Sequence, residues 1–144
     1  MHYYLSLGTN LGRKEENLRR AVQEITKRIG SVTSLSAFYA TEPWGFTSAH
    51  SFLNAACRLD TPLPPHEVLR LTQEIERDMG RTRKSADGIY HDRLIDIDLL
   101  LCYTDHDGML TVDTPELQLP HPLMRERDFV MTPLREIWAE ADAL

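Results

Sequence analysis

The run Arg93-Leu94-Ile95-Asp96-Ile97-Asp98-Leu99-Leu100-Leu101 constrains the fold more than any other part of this chain. It reads as a buried β-strand entered through two carboxylates. Aspartate is among the poorest strand formers, so two of them in an apolar run need a reason. Side chains alternate across a strand, so Asp96 and Asp98 project together, about 6–7 Å apart, while Ile95, Ile97 and Leu99 face the other side. Two ionised carboxylates that close repel, and burying either alone is costly. A divalent cation, or a pair of them, removes that cost. Hard oxygen donors without His or Cys partners suit Mg²⁺.

The preceding segment is basic. Arg77, Arg81, Arg83, Lys84 and Arg93 crowd one stretch, with Gly80 and Gly88 as loop signals. Magnesium carboxylates beside an Arg/Lys-rich loop are the parts needed to bind a nucleoside triphosphate and stabilise phosphoryl transfer. On these residues alone a plainer reading stands equally: the solvated mouth of a strand beside an ordinary charged loop.

At 144 residues the chain is expected to form one domain spanning 1–144. A hydrophobic content of 42% is enough for a packed core. The formal net charge of −6 argues against nonspecific nucleic-acid binding, which needs a net basic face. It leaves room for a nucleotide ligand, because the basic residues cluster. No apolar run approaches membrane-spanning length. Met1-His2-Tyr3-Tyr4 begins directly in a strand-like segment with no leader pattern, so a cytoplasmic location is expected. Cys57 and Cys102 fall inside predicted strands and read as buried thiols in a reducing compartment. His2, His50, His66, His91, His106 and His121 lack zinc-like spacing.

Periodicity sets the order of elements. Tyr3 to Leu7 alternates and reads as a strand, and Gly8-Thr9-Asn10-Leu11-Gly12 as the turn after it. Leu18, Ala21, Val22, Ile25 and Ile29 share one face of a helix from Lys14 to Ile29, closed by Gly30. Val32 to Ala40 and Phe52 to Leu59 read as strands separated by a loop. Pro64 and Pro65 open a second helix that runs to Met79, with Val68, Leu69, Leu71, Thr72, Ile75 and Met79 inward. A long loop, Arg81 to Arg93, leads to the strand Ile95 to Tyr103. Asp105 to Asp113 reads as a turn plus a short strand, Pro120-His121-Pro122 as a rigid turn, and Asp128 to Leu134 as a short helical segment. The core order β-α-β-β-α-β is that of an α+β, ferredoxin-like domain: an antiparallel sheet with two helices on one face.

Other motifs are ambiguous singly. Gly8 to Lys14 is not a P-loop: its glycines are one residue too close, and no Ser or Thr follows Lys14. Asn54 is unusual in an apolar strand, and an amide matches the donor and acceptor edge of a fused heterocycle. Phe52 shares its sheet face, and with Phe129 could sandwich a flat ring. Taken alone, the simpler reading is a ladder end with core aromatics. Gln73 and Glu76, three apart, share a helix face, which by itself reads as solvated. His121 precedes Arg125 and Arg127, and both residue types suit phosphate oxygens.

Taken in order, these segments resemble the 6-hydroxymethyl-7,8-dihydropterin pyrophosphokinases. The markers are Gly8-Thr9-Asn10-Leu11-Gly12, Phe38-Tyr39-x-Thr41-x-Pro43 and Phe52-Leu53-Asn54-Ala55-Ala56. They continue through Ile75-Glu76-x-x-x-Gly80-Arg81-x-Arg83-Lys84, Arg93-x-Ile95-Asp96-Ile97-Asp98 and Pro120-His121. The resemblance implies transfer of the terminal pyrophosphoryl unit of ATP to the pterin hydroxymethyl oxygen, with release of AMP, in folate biosynthesis. It implies that Asp96 and Asp98 hold two Mg²⁺ ions, and that Arg81, Arg93, His121 and Arg127 contact the triphosphate. Arg83 and Lys84 would lie in a loop closing over it, and Gln73 and Glu76 would border the nucleotide. Thr41, Glu42, Trp44, Phe52, Asn54 and Phe129 would line the pterin pocket. The chain departs from the family where Tyr90-His91-Asp92-Arg93 replaces the common Trp-Gly-Pro-Arg, in a loop two residues longer. The expected partners are ATP and the pterin, with no nucleic acid and no membrane, for a monomer. An RNA-binding domain of the same element order would need exposed aromatics and basic residues on its central strands, which Phe52 to Leu59 lacks.

Overall fold

The structure, a computed structural model, describes residues 1–41, 51–80 and 94–141. Strand β1 is His2–Thr9, helix α1 Lys14–Arg28, β2 Ser31–Leu35, β3 Tyr39–Thr41 and β4 Phe52–Asp60. Helix α2 is Pro65–Gly80, followed by β5 Asp96–Thr104 and the short strands β6 Gly108–Met109, β7 Val112–Asp113 and β8 Gln118–Leu119. A 3₁₀ turn, Met124–Glu126, precedes helix α3, Asp128–Ile137.

The result is a mixed α/β structure on an antiparallel sheet. Strands run in the order β2-β4-β1-β5-β6, with every neighbouring pair antiparallel. β3 also pairs with β4, Tyr39 opposite Asn54 and Thr41 opposite Phe52. β7 and β8 form a separate hairpin.

The helices form where an apolar stripe recurs. In α1, Leu18, Ala21 and Ile25 are buried, with Glu15 and Glu16 in the first turn and Lys27 and Arg28 in the last, as the helix dipole favours. In α2, Val68, Thr72, Ile75 and Met79 are buried at helical spacing. Both helices pack on the face carrying Tyr3, Leu5, Leu7, Ala55, Cys57, Leu59, Ile97 and Leu99. Each fully buried Leu or Ile there contributes about 1.5–3 kcal/mol. The second face carries Tyr4, Ala56, Leu101 and Tyr103, covered by Val130, Met131 and Leu134 of α3 and by Trp138. Cys57 and Cys102 are buried free thiols, and burial pushes Cys57 up to about 12.

Three expectations need correction, and the last core strand has an added irregularity. β1 runs on through Thr9, so of the two glycines in that motif Gly8 belongs to the strand and Gly12, at φ +62°, is the turn glycine. The strand expected over Val32 to Ala40 is two strands. Between them the Ser36 N–H donates to the Ala56 carbonyl at 2.9 Å, and the Ser36 hydroxyl accepts the Ala56 N–H at 2.9 Å. A side chain thus replaces the backbone in the ladder and kinks the edge. α3 is a full helix on the opposite face rather than a short segment. β5 contains a bulge: Tyr4 is opposite Leu101 and Leu5 opposite Leu99, which leaves Leu100 over. Without that extra residue, alternation from Ile97 and Leu99 would turn Leu101 toward α1 and α2; with it, Leu101 and Tyr103 join the second face.

Candidate active site

α3 covers only part of the second face. Past Tyr4, the same side of β1 carries Ser6 and then Gly8, opposite Asp98 and Asp96 on β5 and Ala56 and Asn54 on β4. Here the apolar cover ends and a cavity of about 650 Å³ begins. Its floor is Ser6, Gly8, Asn54, Asp96 and Asp98. Its walls are Thr41 and Phe52 on one side and Arg127 to Phe129, at the start of α3, on the other. A second cavity of about 450 Å³ opens between α2, β5 and the segment from Pro115 to Pro122. Gln73, Glu76 and His121 line it, and Asp96 and Asp98 line both cavities. The two carboxylates therefore stand at a junction between two ligand-sized spaces.

Each functional side chain is held by an identifiable contact. Asn54 is 3% exposed, and its Nδ2 donates to the Thr41 hydroxyl at 3.1 Å. That bond directs the amide, and the lack of a Cβ on Gly8 makes room for it: a Cβ there would sit 3.1 Å from Asn54 Oδ1. Phe129 is 42% exposed at the cavity rim, with the Arg127 guanidinium carbon 5.8 Å from its ring centre. A half-exposed ring at the edge of a cavity is a ready stacking surface.

His121 is positioned by the bulge in β5. Its backbone N–H donates to the Leu100 carbonyl at 2.8 Å, and its Nδ1 accepts the Leu123 N–H at 3.2 Å. Nε2 is then the nitrogen left to carry the proton. Burial pushes the imidazole below the usual histidine range; Asp98 opposes that shift and Arg127 adds to it. A neutral ring with Nε2–H free to donate suits a phosphate oxygen. Glu76 sits across the same cavity, its Oε2 accepting the Ile97 N–H at 2.7 Å.

The structure brings together most of the residues singled out from the sequence. Thr41, Phe52, Asn54, Asp96, Asp98, Arg127 and Phe129 line the larger cavity, and Gln73, Glu76 and His121 the smaller. Arg127, expected among the phosphate contacts, lies beside Phe129 and near His121. Glu42, Trp44, Arg81, Arg83, Lys84 and Arg93 lie outside the described residues, as do Tyr90, His91 and Asp92. Sequence reasoning missed Ser6, Glu126 and Asp128 as cavity residues and read Gly8 as a turn residue. A signal existed for Ser6: it is a lone hydroxyl in an apolar strand, two residues before a glycine. For Glu126 and Asp128 the alternation with Arg125 and Arg127 looks like an ordinary solvated charge run.

Two neighbouring carboxylates form a hard-oxygen donor set that fits Mg²⁺, which is bound through one or two carboxylates with phosphates and water completing the shell. Among the described residues no group of three or more His, Cys, Asp or Glu forms a metal site, and no helix is long and apolar enough to cross a membrane.

Comparison with known proteins adds the following. Residues 4–139 match the family model of 7,8-dihydro-6-hydroxymethylpterin-pyrophosphokinase (HPPK). The chain is 50% identical over 142 residues to the 2-amino-4-hydroxy-6-hydroxymethyldihydropteridine pyrophosphokinase of Porphyromonas gingivalis, covering 97% of this chain and 94% of that one. It is 39% identical over 140 residues to the protein of the same name from Bacillus subtilis, covering 96% and 79%. It is 38% identical over 134 residues to the Folic acid synthesis protein FOL1 of Dictyostelium discoideum, covering 93% of this chain and 19% of that one. A crystal structure of HPPK-DHPS in complex with substrates has a similar fold, with a TM-score of 0.65 at 13% identity, over 96% of this chain and 40% of the other.

Proposed function

Because the chain belongs to the 7,8-dihydro-6-hydroxymethylpterin-pyrophosphokinase family and is a pyrophosphokinase of folate biosynthesis, we propose that its two cavities hold its two substrates. The larger takes 6-hydroxymethyl-7,8-dihydropterin and the smaller takes ATP. The observation that carries this reading is that Asp96 and Asp98 line both spaces, where an acceptor hydroxyl and a phosphate chain must meet.

In this reading the pterin hydroxymethyl oxygen attacks the β-phosphorus of ATP. The bond from that phosphorus to the α–β bridging oxygen breaks, AMP leaves, and the hydroxyl proton passes to solvent. Little covalent chemistry falls to the protein; positioning and charge stabilisation dominate. Asn54 reads the edge of the heterocycle with an amide that Thr41 orients, and Phe52 and Phe129 flank the ring. His121 donates from Nε2 to a phosphate oxygen, and Arg127 approaches the phosphates from the rim of the pterin cavity. Gln73 and Glu76 border the nucleotide. Glu42 and Trp44 complete the pterin pocket, Arg81 and Arg93 follow the charge that develops on the triphosphate, and Arg83 and Lys84 close over it, by their match to the family pattern. Asp96 and Asp98 hold the cation, two Mg²⁺ ions in this reading. When bound, its chemistry is to lower the pKa of the acceptor hydroxyl and neutralise charge on the departing oxygen.

The strand order β2-β4-β1-β5, all antiparallel, supports a ferredoxin-like core. Coverage of 94% of the Porphyromonas gingivalis relative supports one pyrophosphokinase domain over residues 1–144. The reading makes it a cytoplasmic monomer. Its test is an assay of ATP, Mg²⁺ and the pterin for AMP and the pterin diphosphate. Asp98→Asn or Asp96→Asn is expected to abolish transfer while leaving circular dichroism and the melting midpoint near those of the parent. Near-normal turnover in either variant removes the metal assignment.

A further inference from the structure

The aspartate strand is held from both sides, and the two sides differ. On its inner edge β5 is laddered to β1, with Gly8, Leu7 and Ser6 opposite Asp96, Ile97 and Asp98. On its outer edge β6 reaches only Tyr103 and Thr104. Along the stretch that carries the aspartates, no strand among the described residues pairs with the outward backbone N–H groups, and an unpaired edge of that kind binds water or another chain. The Ile97 N–H instead donates to Glu76 Oε2 at 2.7 Å, reaching across from α2.

That N–H belongs to the peptide unit joining Asp96 to Ile97. A charged acceptor on it restrains rotation about both flanking bonds, and charge-assisted bonds are roughly twice as strong as neutral ones. A strand held along one edge can twist about that edge. Held along both, it presents Asp96 and Asp98 in one fixed direction.

We propose that Glu76 is a positioning residue for the aspartate pair: by holding the Asp96–Ile97 peptide, it aims both carboxylates at the junction of the two cavities. The proposal rests on the reading of Asp96 and Asp98 as cation ligands. It differs from bordering the nucleotide, because the effect of Glu76 passes through the backbone of β5.

The test measures Mn²⁺ binding by electron paramagnetic resonance. The full chain is used, with an ATP analogue whose α–β bridging oxygen is a methylene. Hydrogen exchange at the Ile97 amide is read alongside it. Glu76→Ala is expected to weaken Mn²⁺ binding by about ten- to a hundred-fold, the range seen when a group supporting a metal ligand is removed. It should also speed exchange at Ile97 and leave affinity for a pterin analogue unchanged. Glu76→Gln keeps an oxygen acceptor at the same reach and is expected to recover most of the Mn²⁺ affinity and the Ile97 protection. Mn²⁺ affinity in Glu76→Ala equal to that of the parent overturns the proposal. So does a Glu76→Gln variant as weak as Glu76→Ala, which would assign the effect to the charge itself. Asp98→Asn separates the two levels: if it binds Mn²⁺ as well as the parent, the cation reading fails and the proposal with it.

Discussion

Gly8 and Gly12 stand in one short motif and read alike in sequence, yet they face different physical demands. Gly12 has φ +62° and open space where a Cβ would go. Gly8 has an ordinary strand backbone, but a Cβ on it would meet Asn54 Oδ1 at 3.1 Å. The two alanine variants should therefore fail in opposite ways. Gly12→Ala is expected to destabilise by about 1–2 kcal/mol, the cost of a left-handed conformation for an L-residue, with pterin affinity unchanged. Gly8→Ala should change stability by less than about 1 kcal/mol, because alanine suits an extended backbone better than glycine does. It should weaken binding of a pterin analogue about ten-fold, since a displacement of a few tenths of an ångström misaligns a buried amide. Denaturant unfolding and calorimetry read the two effects separately, and equal pterin affinity in Gly8→Ala would contradict its assignment to the pocket floor. This pair shows what was legible at the residue scale. Asp96 and Asp98 announce themselves because aspartate has no ordinary business in an apolar strand. The task of Gly8 depends on Asn54, 46 positions later in the chain, and local pattern carries no trace of a cross-strand neighbour.

At the scale of elements, periodicity located both long helices and the four core strands, because each alternation or stripe is a local property. It failed where one face changes register. Leu99, Leu100, Leu101 and Cys102 are all buried, so nothing in that apolar run marks Leu100 as the bulge residue whose carbonyl receives His121. Ser36 likewise looks like any strand serine, and only its bond to Ala56 divides β2 from β3. The seating of α1 against α2 is clearer. Arg28 donates to Glu24 on its own helix at 2.9 Å and to Asp78 on α2 at 2.7 Å, with Glu74 at 3.5 Å. Asp78 raises the guanidinium pKa most; burial opposes it, and Glu24 adds to the rise. The group is about a quarter exposed, so solvent screens part of that attraction. Arg28→Leu is expected to lower stability by about 1 kcal/mol at low ionic strength, with the difference from the parent shrinking toward zero near 1 M salt. Urea midpoints at two salt concentrations check it. A loss that is independent of salt would mean packing by the side-chain stem, not charge, is what Arg28 supplies.

Over the whole molecule, β1 joins two regions with different tasks. Its Gly8 end forms the floor of the pocket, and its His2 end, about 20 Å away at strand rise, is tied to the C-terminal segment. There Glu140 accepts the Tyr4 hydroxyl at 2.7 Å and lies 2.7 Å from His2 Nε2, while Trp138 Nε1 donates to the Tyr103 hydroxyl at 3.1 Å. Burial alone would raise the Glu140 carboxyl, but its bonds to Tyr4 and His2 outweigh burial and hold it below the usual range. A carboxyl with a folded pKa below its unfolded value stabilises the fold above that unfolded value, about 4.5, and loses the contribution as pH falls through the folded one. Tyr4, pushed up to about 12 by burial and then by Glu140, acts in the opposite direction and keeps its proton, and so its donated bond, well past neutrality. Glu140→Gln should therefore be less stable than the parent by about 1–3 kcal/mol at pH 7, with the two stability curves converging as pH drops below 4.5. At 25 °C, where both remain folded, turnover should be equal, because nothing in the latch at the His2 end reaches the aspartates. Denaturant melts from pH 3 to 8, paired with the AMP assay, test both halves. A loss of turnover in a folded Glu140→Gln variant would mean that the latch and the pocket are coupled along β1, and the division of labour along that strand would have to be abandoned.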